Sequence, residues 1–191
     1  MKKLLALILL SFLSSCIYSN QESLDVSLSI NEKYSEIGGN RAIELGVIDE
    51  RMNRDALGTK RFGQNLVNLR SNQIIARIVY DKVAKDLEQN GFAVVRGNLA
   101  NKILEVKIIT LNYRAYREFF VGTSKVEVLL KVTAKDKVGD KSYSTSKSLS
   151  LDKNHFISPS LSADEKTINS ALQDALDEVL DNQKLIDFLK K

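Results

Sequence analysis

The chain of 191 residues is poor in the residues that usually declare a chemistry: it has one Cys, one His, one Pro and no Trp. A single Cys excludes an intramolecular disulfide framework, and one Cys with one His excludes a Cys/His zinc site. Neither sign of charge dominates. The 28 basic residues face 24 acidic ones, and removal of Lys2 and Lys3 with a leader would bring the net charge from +4 to near +2. That balance is too even to point to nucleic acid as a partner. Internal repeats, low-complexity tracts and any apolar run of membrane-spanning length are missing too. What is present is ordinary globular material, 43% apolar and 27% charged, in a length that suits one domain with a buried core.

The N-terminus carries the sharpest local signal. Met1-Lys2-Lys3 is a short basic start, followed by an apolar run from Leu4 to Leu10 with Phe12 and Leu13. A run of about ten residues fits a secretory signal and is too short for a bilayer, which takes roughly 20. It ends in Leu13-Ser14-Ser15-Cys16, which resembles the lipobox of bacterial lipoprotein precursors. Such a resemblance implies cleavage between Ser15 and Cys16 and lipidation of the Cys16 thiol, with a triacylated, palmitate-bearing Cys16 as the new N-terminus. An ordinary signal peptide or a short anchor would instead leave Cys16 as an odd exported thiol. Two or more acyl chains hold a protein stably where one does not. The residue after Cys16 is Ile17 rather than the Asp associated with inner-membrane retention, which favours the outer membrane. The expected organisation is a signal peptide over 1–15, a lipidated Cys and short tether over 16–23, and a single domain over 24–191.

Periodicity then lays out that domain. Leu24, Val26, Leu28 and Ile30 alternate with polar residues and read as a half-buried strand. Ile43, Leu45 and Val47 give a second one after the Gly38-Gly39-Asn40 turn, and Arg51 to Leu69 reads as a long loop with a short strand near Leu66. Ser71 is placed to cap a helix carrying Ile75, Val79, Val83 and Leu87 every fourth residue, closed by Gly91. Strands follow over Ile103–Leu111, Lys125–Lys135 and Lys141–Leu151, with Tyr113 to Gly122 as a wide hairpin connection. A capping box at Ser162 and Glu165 opens a second amphipathic helix through Ile168, Leu172, Leu176 and Val179. This order predicts an α+β two-layer sandwich: a roughly five-stranded, largely antiparallel sheet with two amphipathic helices on one face.

The whole chain resembles the YajG-type bacterial lipoproteins. The likeness rests on the lipobox at Cys16, the strand running into Asp49-Glu50-Arg51, the helix closing in Gly91-Phe92-Ala93-Val94, and the terminal Leu185-Ile186-Asp187-Phe188-Leu189-Lys190. The order and spacing of these short motifs carry the match. The resemblance implies an envelope location and brings no catalytic or ligand-binding residues with it.

Candidate chemistry is sparse. His155 and Ser158 lack the Gly-x-Ser-x-Gly elbow of a nucleophile, and Gly58-Thr59-Lys60-Arg61-Phe62-Gly63 lacks the spacing of a phosphate loop. Asp49 and Glu50 at a strand end read as turn chemistry, with Arg51 paired to a nearby acid. No catalytic residue, metal site or cofactor is expected. The densest recognition chemistry is Tyr113, Arg114, Tyr116, Arg117, Phe119 and Phe120, where aromatic and Arg side chains could form an anchor on a hairpin tip. Lys107, Lys125, Lys131, Lys135 and Lys147 could form a basic sheet face. The reading is a lipid-anchored, non-catalytic binding or accessory domain of the envelope, anchored in the membrane through Cys16, with an envelope protein or a lipid or glycan as partner. A direct lipid or glycan carrier is the alternative.

Overall fold

In a computed structural model the described residues are 21–30, 35–118, 121–155 and 160–191. The lipobox, Cys16, Phe119 and Phe120 therefore lie outside the described residues, as do Ser158 and Pro159. In chain order the strands are β1 (Gln21–Leu24), β2 (Ala42–Asp49), β3 (Gly58–Phe62) and β4 (Asn65–Ser71). Helix α1 (Ile75–Gln89) and β5 (Ala93–Val95) follow, then β6 (Lys102–Glu118), β7 (Val121–Asp136) and β8 (Ser142–His155). The chain closes with α2 (Leu161–Leu180) and α3 (Gln183–Lys190).

The long alternating runs organise everything else. β6 pairs with β7 along its whole length, and β7 pairs with β8. The other edge of β6 is shared by two strands, β2 beside residues 102–108 and β3 beside 113–116, both parallel to it. β5 extends the sheet from β2, while β4 and β1 extend it from β3. The α+β class holds, but the sheet is eight-stranded, mixed and curled, rather than five-stranded and largely antiparallel. There are three helices, not two, because the apolar C-terminal turns form α3 with Leu185 and Leu189 buried.

All three helices cover one face. Ile43 and Leu45 of β2, Leu104, Val106 and Ile108 of β6, and alternate residues of β7 from Val126 to Ala134 point toward them and are buried. Burying each such side chain stabilises the fold by about 1.5–3 kcal/mol before entropy is counted. Between Ile108 and Thr110 the β6–β7 register slips by one residue, a β-bulge. The inward parity therefore changes there, and Leu111, Tyr113 and Ala115 take over as the buried set.

Several local expectations need correction. The stretch 51–69 is not one long loop with a single short strand: the strand near Leu66 is β4, and β3 pairs with it in an antiparallel hairpin turning at Gly63, whose φ is 62°. Residues 25–30 alternate as expected but form no strand. Their backbone is held by α2, through Asp25 N–H donating to Glu165 and Ser27 N–H donating to Asn169. Glu165 is thus occupied away from the helix start, and Ser160, not Ser162, caps α2 by accepting from Ala163 N–H. The N-cap of α1 is Ile74, and Ser71 instead accepts from Gln73 N–H. Tyr113 to Glu118 is strand, not hairpin connection, because the alternation of inward Tyr113 and Ala115 with outward Arg114 and Tyr116 continues β6 to its end. Among the described residues no helix is long and apolar enough to cross a membrane.

Candidate functional site

Beneath the β6–β7 hairpin, the inward positions of neighbouring strands carry polar groups where hydrocarbon would be usual. Lys60 of β3 lies beside Ala115 of β6, and Ala115 lies beside Ser124 of β7. The first turn of α2 sits over this layer and lowers Asp164 into it. The Tyr113 hydroxyl donates to Asp164 Oδ1, and Lys60 Nζ lies 2.6 Å from Asp164 Oδ2. Glu22 of β1 reaches the other side of Lys60 at 3.4 Å. One strand further on, Ser124 Oγ and His155 Nε2 are 2.8 Å apart.

Burial decides what this cluster can do. Asp164 is 0% exposed, and Tyr113 and Ser124 are each 1% exposed. Desolvation holds the Asp164 carboxyl above its ordinary range, against the opposing pull of Lys60 and Tyr113. The same burial, reinforced by the hydrogen bond to Asp164, pushes the Tyr113 phenol well above 10. A hydroxyl as enclosed as that of Ser124 does not meet a substrate, so the Ser124–His155 pair is not a working nucleophile. The cluster is a polar pin joining β3, β6 and α2 across the core. No spacing in the sequence links Lys60, Tyr113 and Asp164, and only the topology brings them together.

The six residues expected at a hairpin tip separate. Tyr113 faces the core and is withdrawn from the recognition set, its ring taken by inward parity and its hydroxyl by Asp164. Arg114, Tyr116 and Arg117 are exposed near the end of β6. Tyr116 pairs across to Arg61 of β3, and Arg61 to Leu66 of β4, in one row on the helix-free face. Phe119 and Phe120 lie outside the described residues.

The expected basic face separates in the same way. Lys107 pairs with Glu50, whose hydrogen bond raises its pKa, and Lys125 pairs with Glu127 at 2.8 Å. Lys147 is on the opposite side of the sheet and bonds Glu178 of α2. Lys131 and Lys135 remain exposed on the helix-free face, opposite the outward serines of β8.

The Asp49-Glu50-Arg51 motif is structural. Buried Arg51 grips both oxygens of Asp49 and donates to the carbonyls of Arg54 and Ala56. It thereby rounds off the loop that fills the gap between β2 and β3 beside the bulge. The Gly58–Gly63 stretch makes no phosphate cradle, because it is extended as β3 and Lys60 points inward to Asp164. Among the described residues no group of three or more His, Cys, Asp or Glu could hold a metal. The apolar gap between α1, α2 and α3, lined by Leu87, Phe92, Leu180 and Leu189, has room for about one water molecule.

An eight-stranded curled sheet with one helical layer places the chain in a known structural class. A crystal structure of a Xanthomonas campestris protein shares the fold at a TM-score of 0.60 and 12% identity, over 88% of this chain and 97% of that one. An uncharacterized protein matches at 0.50 and 11%, over 84% and 97%. A Helicobacter pylori protein, described as a homolog of a neuraminyllactose-binding hemagglutinin, reaches 0.49 at 9% identity, over 85% and 95%. No curated protein sequence matches the chain. The family model described as "Uncharacterized lipoprotein" matches residues 29–190, and the chain belongs to that family.

Proposed function

We propose that this protein is a lipid-anchored, non-catalytic binding or accessory domain of the bacterial envelope, held at the outer membrane by acyl chains on Cys16 after cleavage between Ser15 and Cys16. Membership of a lipoprotein family supports the anchored location. The observation that carries the binding role is the uncovered side of β6, β7 and β8. These are the longest strands, of 17, 16 and 14 residues, and all three helices lie on their other side. The uncovered side offers Lys131 and Lys135, the Lys125–Glu127 pair and a row of serines on β8. Anchoring confines that surface to the membrane plane and raises its effective concentration for envelope proteins there.

The carrier alternative is less well supported. It needs a concave apolar pocket between helices and sheet, and the apolar gap between the helices has room for about one water molecule. Photo-crosslinking in intact cells tests the binding role, with probes at Lys131 and Ser148 on the uncovered side and at Lys184 on α3 as control. A discrete protein adduct from the first two positions and none from Lys184 is the expected result. Lipid or glycan adducts alone would put the carrier reading first.

A further inference from the structure

The strand registers place the start of β1 at a definite end of the molecule. Gln21 pairs with Asn68, Asn68 with Thr59, Thr59 with Arg114, and Arg114 with Lys125, so these residues share one level across five strands. From that level, moving back along β1 toward Cys16 is the same direction as moving along β4 to Asn65, along β3 to Phe62 and along β6 to Glu118. The β3–β4 turn and the β6–β7 hairpin therefore project from the end of the sheet at which the chain arrives from its anchor. The N-terminus of α2, with exposed Leu161, lies at the same end, since Asp164 one turn later meets Tyr113 and Lys60.

The lengths leave little room between this end and a bilayer. With β1 starting at Gln21, four residues, Ile17–Asn20, separate it from Cys16. Five Cα steps from Cys16 to Gln21 span about 17 Å at full extension. The four β6 residues beyond the Gln21 level, from Arg114 to Glu118, already project about 13 Å in the same direction. Even a fully stretched tether holds the hairpin within about 5 Å of the level of Cys16, and any slack brings it to the lipid headgroups. The side chains presented there suit an interface. Leu66, Arg61 and Tyr116 form one cross-strand row, Val121 opens β7, and Arg117, on the opposite face of β6 from Tyr116, is exposed at the same end. Aromatic rings favour the headgroup level, and arginines pair with phosphate.

We propose that this end of the sheet is a membrane-docking surface for anionic phospholipid headgroups, with Arg61 and Arg117 on the phosphates and Leu66, Tyr116 and Val121 at the interface. It rests on the reading of Cys16 as the lipidated residue. Docking sets the strands upright on the membrane and turns the uncovered face of β6–β8 sideways, where a neighbour in the same membrane can reach it.

The full-length lipidated protein in phosphatidylethanolamine–phosphatidylglycerol vesicles tests this. A fluorophore is attached at Gln64→Cys in the β3–β4 turn or, as control, at Val138→Cys at the opposite end, and a headgroup-located quencher is added. The expected result is flotation with the vesicles and quenching at least about threefold stronger at position 64 than at 138. Arg61→Glu with Arg117→Glu should reduce that contrast at least about twofold while the thermal transition stays in place. Flotation with equal quenching at both positions would overturn docking and leave the anchor standing. Failure to float would overturn both, and an unchanged contrast in the double variant would remove the arginines from the interface.

Discussion

Along β6, residues 102–108 pair with β2 and bury Leu104, Val106 and Ile108, whereas residues 113–116 pair with β3 and bury Tyr113 against Asp164 and Lys60. One strand thus carries two kinds of core. In the first half any hydrocarbon of suitable volume fills the space, and stability scales with what is filled. The second half depends on completeness, since each buried polar group is tolerable only while its partners are present. The bulge between the halves lets one chain serve both, and the loop closed by Arg51 occupies the edge where β2 has ended and β3 has not begun.

The comparison can be broken most completely at the bulge. Deleting Leu129, which faces the bulge from β7, forces a choice: keeping Leu130, Val132 and Ala134 inward turns Val126 and Val128 outward and brings Lys125 and Glu127 into the core. The expected outcome is loss of a cooperative urea transition. A folded variant with native near-UV circular dichroism would show that the match between the bulge and β7 is dispensable.

The next effect sharpens the polar half. Asp164→Ala leaves Lys60 and Tyr113 buried without their shared acceptor and should cost about 3–5 kcal/mol in urea denaturation. Replacing the group together, by Lys60→Met, Tyr113→Phe and Asp164→Leu, should return stability to within about 2 kcal/mol of the parent. A triple variant as unstable as the single one would mean that shape, not unpaired charge, governs the site.

A smaller effect separates the phenol from the carboxylate. Tyr113→Phe should cost about 1–3 kcal/mol near neutral pH, because Asp164 loses a donor. The folded-state pKa of Tyr113 lies above its unfolded value of 10. Its contribution is therefore complete below pH 10 and is lost as pH rises through the raised value. The parent should then lose stability more steeply than the Phe variant from about pH 10 upward, in urea titrations at a series of alkaline pH values. Parallel slopes would mean that Tyr113 does not ionise on unfolding.

The two halves also differ in how legible they are from sequence. Regular periodicity exposed α1, α2, β2, β7 and β8, because each places its apolar residues on one face over many turns or pleats. The strand near Leu66 showed through Val67 and Leu69 of β4, whereas β3 was hidden because its inward position is Lys60 between polar Thr59 and Arg61, so no apolar alternation marks it. The end of β6 was obscured by the density of Arg and Tyr, whose recognition chemistry masked a simple in-out pattern. Residues 25–30 misled in the opposite sense, since their backbone is held by Glu165 and Asn169 of α2 rather than along a ladder. The Lys60–Asp164–Tyr113 cluster draws on residues far apart in the chain, and nothing local could have announced it.

Mass spectrometry of the N-terminal peptide of the membrane-extracted protein tests the anchoring most directly. The account predicts a chain beginning at Cys16, with diacylglycerol on the thiol and a further acyl chain on the amine. An unmodified Cys16, or a mature chain that still carries residues 1–15, would contradict it.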